Sequence, residues 1–397
     1  MSGRVPVRLL SLLSASLIAL PGVAYAQSDV RLSADATANI GYSSNPFSVA
    51  TGDAGSGLAQ IQVSPQLKVV NEHSVFTLSG TAEYQRYFRL YGDSENYAAG
   101  LDYSGTPGAH VKTHLNLHYD NAIIGGHDFA SGVVDPNAPT EPVNSGTDIA
   151  LFGTRDRRQT LDANGDLSFA LSARDTIATS AYYVRSRYSL FGAVGNYDGY
   201  GGSAGYSRQV SEHLQLGAQG SVARYDYTGL LGDSTIYSAR AAFTATLGPR
   251  WKLDGALGVS FVDTSTGSSS TSLSGNLNLC RTTVRTNFCL TALRAVLPTG
   301  ITGTQTETAV NANYSYKVTE RGTIFATAGY TRNGNDQLLI VGQNEYLRAS
   351  LGYERVVRER VRVIVTGQYR KIFGGLVDRE ADYGGQLGLA VRFGDHR

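Results

Sequence analysis

The chain has 397 residues, of which 42% are hydrophobic and only 17% charged, with 46 glycines, 24 tyrosines and a formal net charge of +1. This composition is too apolar for a disordered chain, and the near-balance of charge argues against a nucleic-acid partner, which would require a basic surface. It favours a large β protein.

The first residues have the features of a secretory signal peptide. Arg4 and Arg8 precede the apolar run LLSLLSASLIAL, a Pro-Gly pair interrupts it, and the small residues AYA end at Ala26. This order predicts cleavage of residues 1–26 and export of residues 27–397. After residue 26 no apolar run approaches the roughly 18 residues of a spanning helix, so a helical membrane protein is not expected.

A two-residue alternation then begins at Val30 and continues to Tyr42. In VRLSADATANIGY the even positions are apolar or Ala, and the odd positions are mostly polar. The same period recurs in AQIQVSPQLKVV (59–70), HVKTHLNLHYD (110–120), IYSARAAFTATL (236–247), WKLDGALGVSF (251–261), VRVIVTGQY (361–369) and DYGGQLGLAVRF (382–393). Each is predicted to be a two-sided strand. Segments 176–188 and 197–209 carry apolar residues on both faces, and their orientation stays open.

The connections alternate in kind: eight short polar turns separate nine longer loops rich in Gly, Ser, Asn and Asp, which predicts eighteen strands. Strict alternation of short turns and long loops is typical of outer-membrane barrels, whereas a soluble sandwich would have shorter strands and more equal loops. Tyrosines where strands enter loops are predicted to lie at the membrane interface: Tyr42, Tyr84, Tyr87, Tyr97, Tyr119, Tyr227, Tyr330 and Tyr369. We therefore predict an all-β, up-and-down antiparallel transmembrane barrel in the outer membrane, with both termini periplasmic.

The last strand carries a pattern of its own. QLGLAVRF fits the carboxy-terminal recognition pattern of bacterial outer-membrane barrels, with polar Gln386, Gly388, hydrophobic Val391 and aromatic Phe393. It departs from that pattern because GDHR follows the aromatic residue. The segment predicts recognition by the barrel-assembly machinery.

A resemblance to a known family is carried by the carboxy-terminal pattern, the predicted signal peptide, a first strand that ends in GYSSNPF and the lack of a plug domain. Through these features, residues 27–397 resemble the beta-barrel porin 2 family. The resemblance implies an outer-membrane channel associated with export of extracellular or capsular polysaccharide. No residue spacing in the chain itself indicates a sugar. Export would need a periplasmic polysaccharide-export partner, which could contact one inner turn; a merely solvated turn is the alternative. The turn contains or adjoins Arg355, Arg358, Arg360 and Arg362.

The alternation also predicts which charges face the lumen. The inward cations are Arg31, Lys68, Lys112, Arg240, Lys252, Arg362, Arg370 and Arg392, and the inward anions are Asp35, Glu83, Asp102, Asp162, Asp166, Asp254 and Asp382. This balance favours a neutral or mixed-charge solute, and eighteen strands leave room for an aqueous channel. In the alternative, these charges only pair with one another across strands.

The third long loop is the longest, spanning Asp120 to Asp156. By resemblance to general porins, it is predicted to fold inward as a constriction or gate; a solvated surface loop is the open alternative. Its acidic residues are Asp120, Asp128, Asp135, Glu141, Asp148 and Asp156.

The only cysteines, Cys280 and Cys289, flank a short turn. They are predicted to face the lumen and to form a disulfide in the oxidising periplasm, with two free thiols as the alternative. Such a disulfide would contribute roughly 2 to 3 kcal/mol.

No catalytic site is predicted. His110, His114 and His118 share a strand face, but four residues along a strand cover roughly 13 Å, too far for ligands of one metal. Nucleophile-elbow, HExxH and paired-cysteine patterns are lacking, so we expect no enzyme, cofactor or metal. The candidate functions are polysaccharide export, diffusion of small solutes, and a non-transporting structural or adhesive barrel. The expected partners are outer-membrane lipid, the assembly machinery, an export partner, and polysaccharide or small solutes.

Overall fold

The computed structural model describes residues 28–50, 52–126, 148–189, 195–229, 231–265, 267, 269–301, 303–334, 344–374 and 379–394. The predicted signal peptide lies outside these residues. The described chain forms one short 3-10 helix (Ile149–Leu151) and eighteen strands: β1 (Asp29–Ser43), β2 (Ser56–Val70), β3 (Ser74–Tyr87), β4 (Asp93–Gly108), β5 (Val111–Ile123), β6 (Arg157–Ala170), β7 (Asp175–Tyr188), β8 (Tyr197–Ser211), β9 (Leu214–Tyr227), β10 (Ser234–Thr246), β11 (Trp251–Thr264), β12 (Ser269–Thr282), β13 (Thr286–Thr299), β14 (Gly303–Thr319), β15 (Gly322–Gly334), β16 (Asn344–Arg358), β17 (Val361–Gly374) and β18 (Asp382–Gly394). Among the described residues, no helix has the length and hydropathy needed to cross a bilayer.

The sheet closes on itself. Each strand pairs antiparallel with the next, and β18 pairs back with β1 from Ser33↔Gly394 to Ser43↔Gly384. A closed sheet has no free edge, so its backbone donors and acceptors are satisfied without water. The predicted antiparallel barrel of eighteen strands is confirmed.

The barrel has two unlike ends. At one, here called the turn end, two to four residues join each hairpin, and Asp29 and Gly394 lie there. At the other, the loop end, the strands are joined by the longer segments, including the first loop (44–55) and the third loop (124–156). Assignment of the turn end to the periplasm remains a prediction.

The two faces of the wall are inverted relative to a soluble protein. On β1, Leu32 is 66% and Ile40 58% exposed on the outer face, whereas Ser33 and Asn39 on the inner face are buried. Large apolar side chains are exposed around the whole exterior, and inward positions are mainly small or polar. An exterior of this kind is stable against lipid hydrocarbon.

Strands β7 and β8, whose orientation the sequence left open, follow the same rule. Ile177 and Tyr206 are exposed on the outer face, while the hydroxyls of Ser180 and Ser203 lie 2.7 Å apart on the inner face. These strands also carry apolar residues on the inner face because inward residues near the loop end, such as Tyr197, pack into an apolar cluster inside the barrel.

The tyrosine prediction is partly wrong. Tyr42, Tyr84, Tyr97 and Tyr119 are exposed on the outer wall, but two others are buried on the inner face near the loop end. A tyrosine at a strand end suits either face, because its ring can pack against apolar residues while its hydroxyl forms a hydrogen bond. The two inward residues are Tyr87 and Tyr227.

Side chains reinforce the seam between β1 and β18. The Arg392 guanidinium donates to both carboxylate oxygens of Asp35, at 2.9 and 3.2 Å. Gly388 lies opposite Asn39, and a Cβ at position 388 would collide with the Asn39 side-chain oxygen. The glycine therefore leaves room for the Asn39 side chain, which would have to move if a larger residue stood at position 388.

A disulfide joins Cys280 and Cys289, which are paired across β12 and β13 near the turn end. Cys280 shares a register with Asn276 and Asn278 on the inner face, whereas Leu273 and Leu277 are exposed on the outer face. The bridge therefore lies on the lumen side of the wall.

We expect Phe393→Ala to reduce the amount of barrel in the outer membrane more than truncation of Gly394 to Arg397. Phe393 is exposed on the outer wall of the last strand, where an assembly factor can contact it before closure, whereas the four-residue tail begins where the last strand ends. Quantifying folded barrel in isolated outer membranes measures the effect. Equal, normal levels of both variants would show that Phe393 is not part of an assembly signal.

Candidate functional site

The middle of the lumen wall is a hydrogen-bonded polar surface. The Glu83 carboxylate accepts bonds from the side-chain amides of Gln60 (2.6 Å), Gln85 (2.7 Å) and Asn96 (2.8 Å). Gln60 in turn accepts from the amide of Asn39 at 2.8 Å. Side chains from four successive strands thus form one network, which holds their polar groups in fixed positions facing the lumen.

All fifteen charged residues predicted above to face the lumen occupy inward register positions, although their surroundings differ. Several inward carboxylates are held by neighbours: Asp35 by Arg392, Asp254 by Asn278 at 3.4 Å, and Asp166 by His114. Others, namely Lys68, Lys112, Lys252 and Arg240, form no ion pair with a described residue. The remaining members of the fifteen are Arg31, Glu83, Asp102, Asp162, Arg362, Arg370 and Asp382.

His114 of β5 connects two neighbouring strands on the lumen wall nearer the turn end. Its Nε2 lies 2.7 Å from an oxygen of Asp102 on β4, and its Nδ1 lies 3.3 Å from an oxygen of Asp166 on β6. His114 therefore links three strands through side chains. In the described part of the chain, no group of three or more His, Cys, Asp or Glu residues is arranged to hold a metal ion.

Towards the loop end the interior becomes apolar and aromatic. Three clusters of buried residues lie there. The mouth cluster contains Ile124, Ile149, Leu151, Phe152, Tyr346 and Ile372; the tyrosine cluster contains Tyr197, Tyr225, Tyr227, Ile236 and Val262; and the first-loop cluster contains Phe47, Leu58 and Tyr87. A fourth, smaller cluster of Phe325, Ile364 and Ala390 lies on the inner face nearer the turn end. Most of the buried apolar side chains therefore lie towards the loop end.

Residues 148–156 of the third loop, here called the mouth segment, form the centre of the mouth cluster. Ile149 and Leu151 come from its 3-10 helix, and Phe152 packs edge-on against Tyr346 of β16 with ring centroids 5.3 Å apart. Tyr188 of β7 packs against the same cluster from across the ring of strands. Because β7 and β16 are nine strands apart in a ring of eighteen, the segment bridges opposite walls.

One attachment of the mouth segment is a buried carboxylate. Asp148 is 2% exposed and accepts hydrogen bonds from Arg158 (3.0 Å), the Tyr188 hydroxyl (2.8 Å) and the Gly300 backbone amide (3.3 Å). A buried carboxylate is stable only when its oxygens are paired in this way. Asp148 therefore fixes the segment to β6, β7 and the loop after β13.

A second attachment, which holds the first loop and the start of the third loop, is centred on Arg370 of β17. Its guanidinium donates to Asp382 at 2.9 and 3.0 Å, to the Pro46 carbonyl of the first loop at 2.8 Å and to the Gly126 carbonyl of the third loop at 3.0 Å. Asp382 also accepts from the Asn45 backbone amide at 2.9 Å. Arg370 faces inward as predicted for a lumen residue, but it is buried within these contacts.

Arg155 connects the mouth segment to the first-loop cluster. Its guanidinium lies 4.9 Å from the Phe47 ring centroid and 5.5 Å from that of Tyr91, and it donates to the Tyr91 carbonyl at 2.8 Å. These contacts combine cation–π attraction with a charged hydrogen bond. The segment is thereby joined to a third part of the mouth.

The acidic residues of the third loop have different roles. Asp148 and Asp156 are buried, and Asp156 accepts a hydrogen bond from Ser189. Asp120 belongs to β5, at an inward position. Three further residues, Asp128, Asp135 and Glu141, lie outside the described residues. Within the described part, two of these carboxylates are thus buried attachment points.

Sequence reasoning missed the partners of Asp148. Arg158 follows directly after Arg157 in the run RDRR, so its charge resembles that of a solvated loop. The alternation of β6 contained the signal, because Arg158 shares its register with Asp162 and Asp166, which were assigned to the lumen. No local pattern indicates that Tyr188 and Gly300 reach the same carboxylate.

A closed barrel with an apolar exterior, a polar inner wall and loops folded into one end defines an integral outer-membrane β-barrel. No family model matches the chain, and no curated protein matches it in sequence. The resemblance to the beta-barrel porin 2 family therefore rests on the residues quoted above.

Solved structures similar to the chain include outer-membrane proteins of two pseudomonads. A BenF-like porin from Pseudomonas fluorescens Pf-5 matches 92% of this chain and 99% of its own, at 7% identity and a TM-score of 0.47. OccK2 (OpdF) from Pseudomonas aeruginosa in complex with glucuronate matches 92% and 98%, at 12% identity and a TM-score of 0.46. OprD from the same species matches 92% and 96%, at 10% identity and a TM-score of 0.44.

We expect Asp148→Ala to release the mouth segment. The substitution leaves the partly buried Arg158 without its partner, at a cost of about 3 kcal/mol, so hydrogen exchange at residues 149–156 should be faster by roughly two orders of magnitude. Tyr188→Phe is the matched control: it removes one donor and keeps the ion pair, and should cost about 1 kcal/mol. If both variants exchange like the wild type, the ion pair does not hold the segment.

Proposed function

We propose that the protein is an outer-membrane channel whose lumen conducts water-soluble molecules and whose loop end is narrowed by the mouth segment. The observation that carries this proposal is the bridge between opposite walls, attached through Asp148 on one side and packed against Tyr346 on the other. A loop that only covered the outside would need neither a buried ion pair nor an aromatic contact across the lumen.

The lumen wall supports conduction by its chemistry. The network around Glu83 presents fixed polar groups to the interior. A barrel of eighteen strands encloses a channel wide enough for water. A structural or adhesive barrel would not require such a wall. With the turn end in the periplasm, a solute leaving the cell would pass the polar wall first and the apolar mouth last.

Export of extracellular or capsular polysaccharide is the cargo we propose, supported by the resemblance alone. Diffusion of small solutes is the alternative. Export further requires a periplasmic partner at the turn end, for which the turn containing Arg358 and Arg360 is the proposed contact.

Replacing residues 127–154 by a short Gly-Ser linker should raise single-channel conductance in planar bilayers. The change removes the segment that bridges the walls, and Arg158 then faces water, so that loss of its partner costs little. Asp148→Ala should give an intermediate conductance or frequent transitions between levels. A folded variant with unchanged conductance would place the narrowest part of the channel elsewhere.

Deleting the gene should remove polysaccharide from the cell surface and leave polymer or its precursors inside, with uptake of small sugars little affected. Surface polymer is measured by a carbohydrate stain or lectin binding, and the wild-type gene supplied in trans is the control. Normal surface polymer together with slow growth on a small solute would reject export and support a diffusion porin.

A further inference from the structure

The eight hairpins at the turn end share one feature. In each, the residue directly before the returning strand is a histidine or an arginine, and each of these residues is exposed. We call this set the rim ring; its members are His73, His110, Arg174, His213, Arg250, Arg285, Arg321 and Arg360. Five members carry a permanent positive charge.

The eight residues occupy one and the same structural position. The backbone carbonyl of each accepts a hydrogen bond, 2.8 to 3.0 Å long, from the neighbouring strand, so each adds one rung to its ladder. The donors are the backbone amides of Thr106, Ala170, Gln209, Thr246, Thr282, Lys317, Val356 and Arg392. The recurrence therefore extends around the whole barrel.

Because this hydrogen bond extends the strand by one residue, the side chains of the ring members can be assigned to the lumen side. Side chains alternate between the two faces of a strand, so residues two apart point to the same face. Arg250 and Arg360 lie two residues before the inward Lys252 and Arg362. The same count holds for His110, which lies two residues before the inward Lys112. The eight members thus surround the turn-end opening of the lumen and do not face the lipid.

The positive charge at this opening is largely uncompensated. None of the five ring arginines forms an ion pair with a described residue, although Arg174 adjoins Asp175. Nearby inward carboxylates already have partners: Asp102 and Asp166 contact His114, and Glu354 contacts Arg362 at 3.3 Å. Further cations without a described ion pair line the next inward positions: Lys68, Lys112, Lys252 and Lys317.

Four glutamates also lie in these turns, each directly before a ring member: Glu72, Glu212, Glu320 and Glu359. They are turn residues outside the strands, and, among the described residues, their carbonyls lack the ladder hydrogen bond that the ring members share. Glu72 approaches the imidazole of His73 at 3.8 Å. The five ring arginines and the four lysines at the next inward positions outnumber these four glutamates, so positive charge dominates at the turn end.

We propose that the rim ring is an anion-binding entrance, which recruits solutes or polymer segments bearing carboxylate, sulfate or phosphate groups to the turn end of the channel. The proposal rests on the channel function proposed above and names its substrate class. Rings of charged side chains select ions at pore openings, and guanidinium groups bind such oxyanions through paired hydrogen bonds. The balanced charges higher in the lumen set no such preference.

The first test measures binding without requiring conduction. Fluorescent dextran sulfate is titrated into the folded barrel in detergent, with neutral dextran as the uncharged probe. Replacing all five ring arginines by glutamine should weaken dextran sulfate binding by about tenfold or more. The control replaces five outward-facing arginines by glutamine and should bind within about twofold of the wild type: Arg86, Arg185, Arg224, Arg294 and Arg332.

The two folded variants have equal net charge, so they separate the ring from a general effect of charge. If both variants bind dextran sulfate like the wild type, or both lose binding equally, the ring is not the binding site and the proposal is overturned. Single substitutions such as Arg285→Gln and Arg321→Gln should each produce a part of the loss, which guards against misfolding of the fivefold variant.

The second test measures ion selectivity in planar bilayers under a KCl gradient. The wild type should favour chloride, and the fivefold variant should lower the chloride-to-potassium permeability ratio by about threefold. If the fivefold variant loses dextran sulfate binding but keeps the ion selectivity of the wild type, the ring does not act on solutes that enter the channel. That result would overturn the proposed anion-binding entrance and favour docking of an acidic protein. A wild-type barrel that never conducts would refute the channel function, while the binding comparison would still decide the ring.

Discussion

Every other feature of this protein depends on closure of the sheet, because a strand edge in lipid would leave backbone amides and carbonyls without partners. The seam between β1 and β18 therefore has to form in a single register. Asn39 against Gly388 and Asp35 against Arg392 both favour that register. A slip by one residue would turn the charged side chains of β1 towards hydrocarbon, which costs far more than any single hydrogen bond contributes.

Closure also explains how distant loops come to share one site. Because β18 lies beside β1, Asp382 at the start of the last strand meets Ser43 and Asn45 at the end of the first. Arg370 then joins this junction to the third loop. An outer-membrane barrel has no dry core of its own, so the apolar residues that would form a core in a soluble protein are concentrated here, where loops fold back between the walls.

The sequence predicted the features that lipid imposes locally. Two-residue alternation placed Leu32 outside and Asn39 inside without any knowledge of the fold, since one face of every strand must be apolar. The membrane-interface prediction failed for Tyr87 and Tyr227, and the orientation of β8 stayed open, because apolar residues on the inner face there pack against loops from elsewhere in the chain. Which loop reaches a given strand is a long-range property, and no local period encodes it.

The same distinction applies to charges. The two-residue alternation assigned Arg370 to the lumen side, but it gave no indication that the guanidinium would be buried by Asp382 and the Pro46 and Gly126 carbonyls. Likewise, Asp148 belonged to a run of acidic loop residues that suggested an exposed constriction, whereas its carboxylate is buried against Arg158. A charge is located by its strand register, but its solvation depends on the surrounding contacts, which only the folded structure contains.

The two ends of the barrel treat charge in opposite ways, and this gives the lumen a direction. At the loop end, the charges are paired within two ion pairs, Asp148 with Arg158 and Arg370 with Asp382. Three of these four side chains are buried and Arg158 is partly buried, so the pairs hold structure and exert little field along the channel. At the turn end, the arginines before the returning strands remain exposed and without described ion pairs, where their field extends over roughly a Debye length of 8 to 10 Å. A solute approaching from the turn end therefore meets long-range electrostatic attraction first and short-range packing last, an order that suits capture before selection.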